Sequence, residues 1–221
     1  AGPKFKTYLD WIVSHLRRPS LKRGEGENYL DHLARLHRAT RPEEYSVACQ
    51  VVNAADYGAP QIRFRVLIFG LSVRLGVTPR LMQPTHSRAR LLWDQYITGE
   101  YWKRHGLKAR NAPQDGPDAA RVTALREQSQ PPLGLPWVTT RDALRGLGAP
   151  HGNINHILQP GARVYHGHTG SPLDMPAKAL KAGDHGVPGG ENMMVEDNGT
   201  VRYFTIREAA RLVGLPDDYL F

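Results

Sequence analysis

The stretch Asn53-Ala-Ala-Asp-Tyr-Gly58-Ala-Pro-Gln61-Ile-Arg63-Phe-Arg65-Val-Leu-Ile-Phe-Gly70 decides how the rest of the chain is read. Its first half, with Asn53, Asp56, Gly58 and Pro60, has the chemistry of a tight turn, since these side chains cap local backbone or permit unusual φ values. Its second half predicts a strand from Ile62 to Phe69. Ile62, Phe64, Val66 and Ile68 alternate onto one face, and Arg63 and Arg65 share the other at the neck of the strand. Another strand-like run, Tyr45 to Val52, precedes the turn.

Upstream, Phe5, Tyr8, Leu9, Ile12, Val13 and Leu16 recur at spacings of three and four, which predicts an amphipathic helix to Arg17 that stops before Pro19. A second helix is expected from Tyr29 to Ala39, with Leu30, Leu33, Ala34 and Leu36 on its apolar face. Downstream of Gly70 the texture changes to a chain rich in proline, glycine and histidine, so a domain boundary is placed near residue 71. Helical patches are expected near Arg88 to His105, Ala119 to Gln128 and Thr140 to Leu147. Short strands are expected at Ala162 to Tyr165 and Lys178 to Lys181, inside a loop-built surface from His151 to Asn198. The last helix starts cleanly, because Thr205-Ile-Arg-Glu208 is a capping box, and it ends at Gly214 and Pro216.

The chain has 221 residues, 40% hydrophobic and 23% charged, enough for one or two domains with a real core. A formal charge of +8 favours a polyanionic partner, with nucleic acid first. No apolar run of about 18 residues is available to span a bilayer, and no apolar signal core follows Ala1, so the expected compartment is the cytoplasm. One cysteine, Cys49, excludes an intrachain disulfide and a multi-cysteine zinc site. Placed in an apolar alternating run, it is expected to behave as a small buried hydrophobe.

His166, His168 and His185 lie close in sequence, but with no cysteine nearby and only Asp174 and Asp184 as carboxylates they make a weak ligand pattern for a metal. The run Gly183 to Gly190 has the glycine density of a phosphate-cradling loop without the Gly-Lys-Ser/Thr ending of a nucleotide-binding one. Lys178 and Lys181 precede it, which fits contact with a DNA backbone. Trp93, Tyr96, Tyr101 and Trp102 could stack on bases, yet their helical spacing favours packing.

The Asn53-to-Gly70 stretch, with its Gln-x-Arg-x-Arg core, resembles the eighth conserved block of C5-cytosine DNA methyltransferases. Arg202-Tyr-Phe-Thr205-Ile-Arg207-Glu208-Ala-Ala-Arg211-Leu212-Val-Gly-Leu-Pro216-Asp217-Asp-Tyr219 resembles the ninth. The resemblance implies an α/β fold: the remnant of a doubly wound methyltransferase catalytic domain plus a small, irregular, loop-rich target recognition domain. It divides the chain into a catalytic remnant over 1–70, the recognition domain over 71–204, and a helix over 205–221 that returns to the catalytic part. By resemblance, Arg65 faces the flipped cytosine and the nucleophile, while Arg63 and Gln61 help hold DNA and the local loop. Arg207, Glu208 and Arg211 act structurally. The recognition domain brings Arg163, Lys178, Lys181, Gly183 and His185 to double-stranded DNA.

Departures from the family pattern shape the expected role. No Phe-x-Gly-x-Gly loop for S-adenosylmethionine, no Pro-Cys-Gln loop and no Glu-Asn-Val block is present, and Ala48-Cys49-Gln50 does not replace the nucleophile loop. The chain is therefore expected to be a fragment or subunit that binds no S-adenosylmethionine and transfers no methyl group alone, its partner being the missing amino-terminal catalytic half. The alternative is a stand-alone DNA-binding module or a degenerate remnant. Leu215 replaces the usual Phe before Pro216, a small packing change. Ala179 stands where relatives place Thr, which removes one hydroxyl from the recognition surface.

Overall fold

The computed structural model describes residues 3–152, 154–181 and 191–221, with side chains from residue 5 onward. Helix and strand are mixed, and the chain divides into two compact units. The first comprises Ala1–Val52 and Arg65–Gln83; the second comprises Asn53–Phe64 and Pro84–Phe221. Among the described residues, no helix is long and apolar enough to cross a membrane.

In the first unit, α1 (Pro3–Arg17) packs on α2 (Tyr29–Arg38). Asn28 caps α2, its side chain accepting from the amides of Leu30 and Asp31, and Leu33 and Leu36 are buried. His32 has no exposed surface and accepts from the Trp11 indole at 3.1 Å. Its Nε2 lies 2.7 Å from the Leu21 carbonyl, which only accepts, so Nε2 carries the ring hydrogen. The strands β1 (Tyr45–Asn53) and β3 (Phe64–Ser72) form a two-stranded sheet. The amide of Val73 bonds the Glu44 carbonyl at 3.0 Å, so the end of β3 meets the start of β1.

Two expectations fail in this region. The second strand is not continuous from Ile62 to Phe69. It breaks at Arg63 into β2 (Gln61–Ile62) and β3, which pair with different strands. The cause is local, because the turn claims the backbone of Arg63: its carbonyl accepts from Ala54 at 2.9 Å and its amide donates to Asn53 Oδ1 at 3.0 Å. Cys49 is exposed rather than buried, since a sheet of two strands leaves β1 largely uncovered. For the same reason Phe64, Val66, Leu67, Ile68 and Phe69 of β3 are all exposed.

The second unit is built from short elements around three small cores. A 3-10 turn at Ala54–Tyr57 leads to Gly58, whose φ of 90° and proximity to the His86 ring leave no room for a side chain. After β4 (His86–Ser87), the helical patch at 88–105 is split by Gly99, φ 73°, into α3 (Arg88–Tyr96) and α4 (Glu100–Arg104). Next come α5 (Gly116–Arg126), β5 (Leu135–Pro136) and α6 (Thr140–Leu144). Leu91, Tyr101, Trp102 and Trp137 pack with Ala55 of the 3-10 turn, and Trp93 packs with Val122 and Leu125. The aromatic residues are thus packing residues: Tyr101 and Trp102 have almost no exposed surface.

The remaining strands, β6 (Ser171–Pro172), β7 (Ala177–Lys178), β8 (Met193–Val195) and β9 (Val201–Tyr203), are two or three residues long. The strand expected at Ala162 to Tyr165 reduces to one bridge, Tyr165 to His168, and that at Lys178 to Lys181 to β7 alone. Proline on either side lacks the amide donor a ladder needs, and glycine weakens a strand by its backbone freedom, so longer ladders do not form. The final helix, α7 (Ile206–Leu212), carries the expected box in full, with Thr205 capping Glu208 and Glu208 capping Thr205.

Candidate nucleic-acid interface

The turn at 53–62 and the helix α7 belong to one unit, and β7 connects them. β2 runs parallel to β7 with Gln61 opposite Ala177 and Ile62 opposite Lys178. Ala177 in turn lies in the core with Met194, Phe204 and Leu212. Two stretches far apart in sequence are thereby fixed to the same small strand. Gln61 is buried, and its amide nitrogen has no hydrogen-bond partner among the described residues. Arg63 is half-buried at the exit of the turn, in the same unit; Arg65 belongs to the first unit, exposed on β3.

Lys178 is more constrained than its sequence implies. Its ammonium is paired with Glu191 and bonds the Thr169 hydroxyl at 3.3 Å, while its amide donates to Ser171 Oγ at 3.0 Å. Glu191 is buried and its other oxygen accepts from the Gly170 amide at 2.6 Å. Gly170, with φ 86°, sits so close to Val195 and the Met194 backbone that a β-carbon would collide with them. Lys181 is held through its backbone: its amide donates to Asn192 Oδ1 and its carbonyl accepts from Asn192 Nδ2, both at 2.9 Å. The Glu191 amide also donates to the Ala179 carbonyl at 3.0 Å. These bonds close residues 179–181 against 191–192. Gly183 and His185 lie outside the described residues. Arg163 is exposed on a loop.

Glu191 and Asn192 escaped the sequence reading. A carboxylate after a glycine run has no local pattern that announces a partner 13 residues earlier. A second network, equally silent in the sequence, joins Arg141 to Asp174 and Asp197 at 2.6–2.7 Å. Burial disfavours charge on Arg141, but the two carboxylates outweigh it and hold the guanidinium more firmly protonated than usual.

Arg207, Glu208 and Arg211, at the end of the chain, are bonded within the fold. Arg207 is buried and donates to the carbonyls of Ile154, Pro216 and Tyr219. Glu208 is held by two bonds from Arg202 at 2.7 Å. Arg211 pairs with Asp217 and reaches the carbonyls of Ala143 and Arg145 on and beyond α6. An arginine that satisfies three loop carbonyls fixes the path of the chain around it.

The pattern describing C-5 cytosine-specific DNA methylases matches residues 27–221. The type II methyltransferase M.NgoFVII of Neisseria gonorrhoeae is 30% identical over 182 residues, covering 80% of this chain and 42% of that protein. M.AquIA of Picosynechococcus sp., another type II methyltransferase, is 48% identical over 48 residues, 22% of this chain and 18% of that protein. The chain thus spans less than half the length of these relatives. With both motif stretches inside the matched span and joined through β7, the chain belongs to the C-5 cytosine-specific DNA methylase family.

Proposed function

We propose that this chain is the DNA-reading, carboxyl-terminal part of a DNA (cytosine-5) methyltransferase, and that it transfers no methyl group by itself. The family's methyl donor is S-adenosylmethionine. In this reading the donor site and the nucleophilic cysteine lie in another part of the enzyme, which covers β1 and β3. Residues 71–204 act as the target recognition domain, and Arg163, Lys178, Lys181, Gly183 and His185 approach double-stranded DNA. Gln61, Arg63 and Arg65 serve the pocket that receives the base, which must leave the stack to be reached.

One observation carries the reading. Residues 64–70 of β3 are exposed throughout, with five large apolar side chains among them. A two-stranded sheet with that much apolar surface is not stable in water unless something covers it, so it reads as the edge of a larger sheet. The test supplies the cover: the chain is incubated with duplex DNA and labelled S-adenosylmethionine, alone and with the amino-terminal part of a relative such as M.NgoFVII. Label should enter DNA in the mixture only. Transfer by the chain alone would overturn the proposal.

A further inference from the structure

The positive charge does not sit where the recognition loops are. The first unit holds 12 Lys and Arg against 6 Asp and Glu, whereas the larger second unit holds 17 against 15. In the second unit many of the cations are also committed internally: Arg88, Arg90, Arg104, Arg141, Arg202 and Arg211 each hold an aspartate or glutamate. Lys178 is paired with Glu191. A polyanion gains little from charges already neutralised within the fold.

At one end of the first unit, three chain segments are stitched together around Ser20 and Glu44. The Glu44 amide donates to the Arg17 carbonyl at 2.8 Å, and Ser20 donates through its amide and hydroxyl to the Glu44 carboxylate. Arg18 donates to the Arg41 carbonyl at 2.9 Å, Arg41 to the Ser20 hydroxyl at 3.0 Å, and Val73 to the Glu44 carbonyl. Arg17 and Arg18 are absorbed here, because they pair with Glu43 and offset the carbonyl end of α1. Lys22, Arg23, Arg41 and Arg74 are exposed and form no ion pair within 4 Å among the described residues. Two of them act on Glu44: the Ser20 hydrogen bonds first, then the nearby Arg41 and Arg74, hold its carboxyl below the usual range.

We propose that this end of the first unit is a phosphate-contacting surface for duplex nucleic acid, with Lys22, Arg23, Arg41 and Arg74 as its cations. It supplies sequence-independent attraction, separate from the base-reading role proposed for the loops around Lys178 and Lys181. The choice of DNA as the polyanion rests on the proposed function; the location of the surface rests on charge and geometry alone.

The experiment measures affinity of the whole 221-residue chain for a short DNA duplex across a range of salt concentrations, by fluorescence anisotropy. The variant Lys22→Gln/Arg23→Gln/Arg74→Gln removes three exposed cations and leaves Arg41, whose guanidinium holds Ser20. At about 0.9 per phosphate contact, the slope of log affinity against log salt should become shallower by about 2.7. Lys103→Gln/Lys108→Gln/Arg126→Gln removes the same charge from the second unit and should change the slope by less than one contact. Circular dichroism and unfolding midpoints check that each variant folds; if the first does not, Lys22→Gln/Arg23→Gln replaces it, with about 1.8 expected. Wild-type binding with an unchanged slope in the first variant, or an equal loss in both, overturns this surface and leaves the family role standing. Absence of any salt-dependent binding by the wild type overturns DNA as the polyanion, and with it the DNA-reading role of the isolated chain.

Discussion

Replacing Thr205 with valine keeps a side chain of similar volume at a position with no exposed surface and removes one hydroxyl that serves two partners. Thr205 Oγ1 accepts the Glu208 amide at 3.1 Å and lies 2.8 Å from His156 Nδ1. The direction of the second bond is set by the other ring nitrogen. His156 Nε2 faces the Gly148 carbonyl at 3.2 Å, which can only accept, so Nε2 carries the hydrogen and Nδ1 accepts from the threonine. Losing the cap costs about 1 kcal/mol. Leaving the buried imidazole nitrogen without its donor adds about 1–3 kcal/mol. The reciprocal bond, Glu208 Oε2 to the Thr205 amide at 2.8 Å, uses backbone and survives. Thr205→Val should therefore destabilise the second unit by about 2–4 kcal/mol. Thr205→Ser keeps both bonds and loses one buried methyl, for about 1 kcal/mol. Urea unfolding followed by tryptophan fluorescence measures both in a Trp11→Phe background, where Trp93, Trp102 and Trp137 all report on the second unit. A valine variant no less stable than the serine variant would refute the double role of this hydroxyl.

Three further outcomes are expected. Gly170→Ala should destabilise the second unit by more than about 1 kcal/mol, because the backbone is left-handed and the added carbon meets Val195 and the Met194 backbone; the same urea titration measures it. Lys178→Met should cost about 2 kcal/mol, below the roughly 3–5 kcal/mol of a fully buried pair because water reaches the lysine, and Lys178→Met/Glu191→Gln should recover most of it. No recovery in the double variant would mean that the carboxylate is not the group left stranded. Burial lowers the pKa of His15, with His32 contributing, and burial likewise lowers those of His86 and His105. The unfolded chain then takes up protons first, so the stability these groups contribute is complete above about pH 6.5 and declines as pH falls through that value. Urea midpoints that rise between about pH 7 and pH 5.5 would contradict this sign.

The helices α1, α2 and α7 were legible because their signals are local. Apolar spacing, a proline beyond the end and a capping box each involve residues within a turn or two of one another. The turn at 53–60 was legible for the same reason, Gly58 being required by its own φ. Cys49 was misread because alternation predicts burial only when something lies over the strand, and β1 has one partner strand. The break at Arg63 was hidden because the competing bonds come from Asn53 and Ala54, across the turn.

By itself the sequence determined the family and the local elements, since both are written in short runs whose hydrogen bonds and spacings close on themselves. It also set the net charge of the chain. Only the tertiary structure decided that Gln61 lies opposite Ala177, that Glu191 neutralises Lys178, and that Arg41 and Arg74 come near Glu44. Those outcomes depend on which distant segments share a core or a carboxylate. Such pairings are chosen by packing and desolvation summed over the whole unit, and no local run of residues encodes that sum.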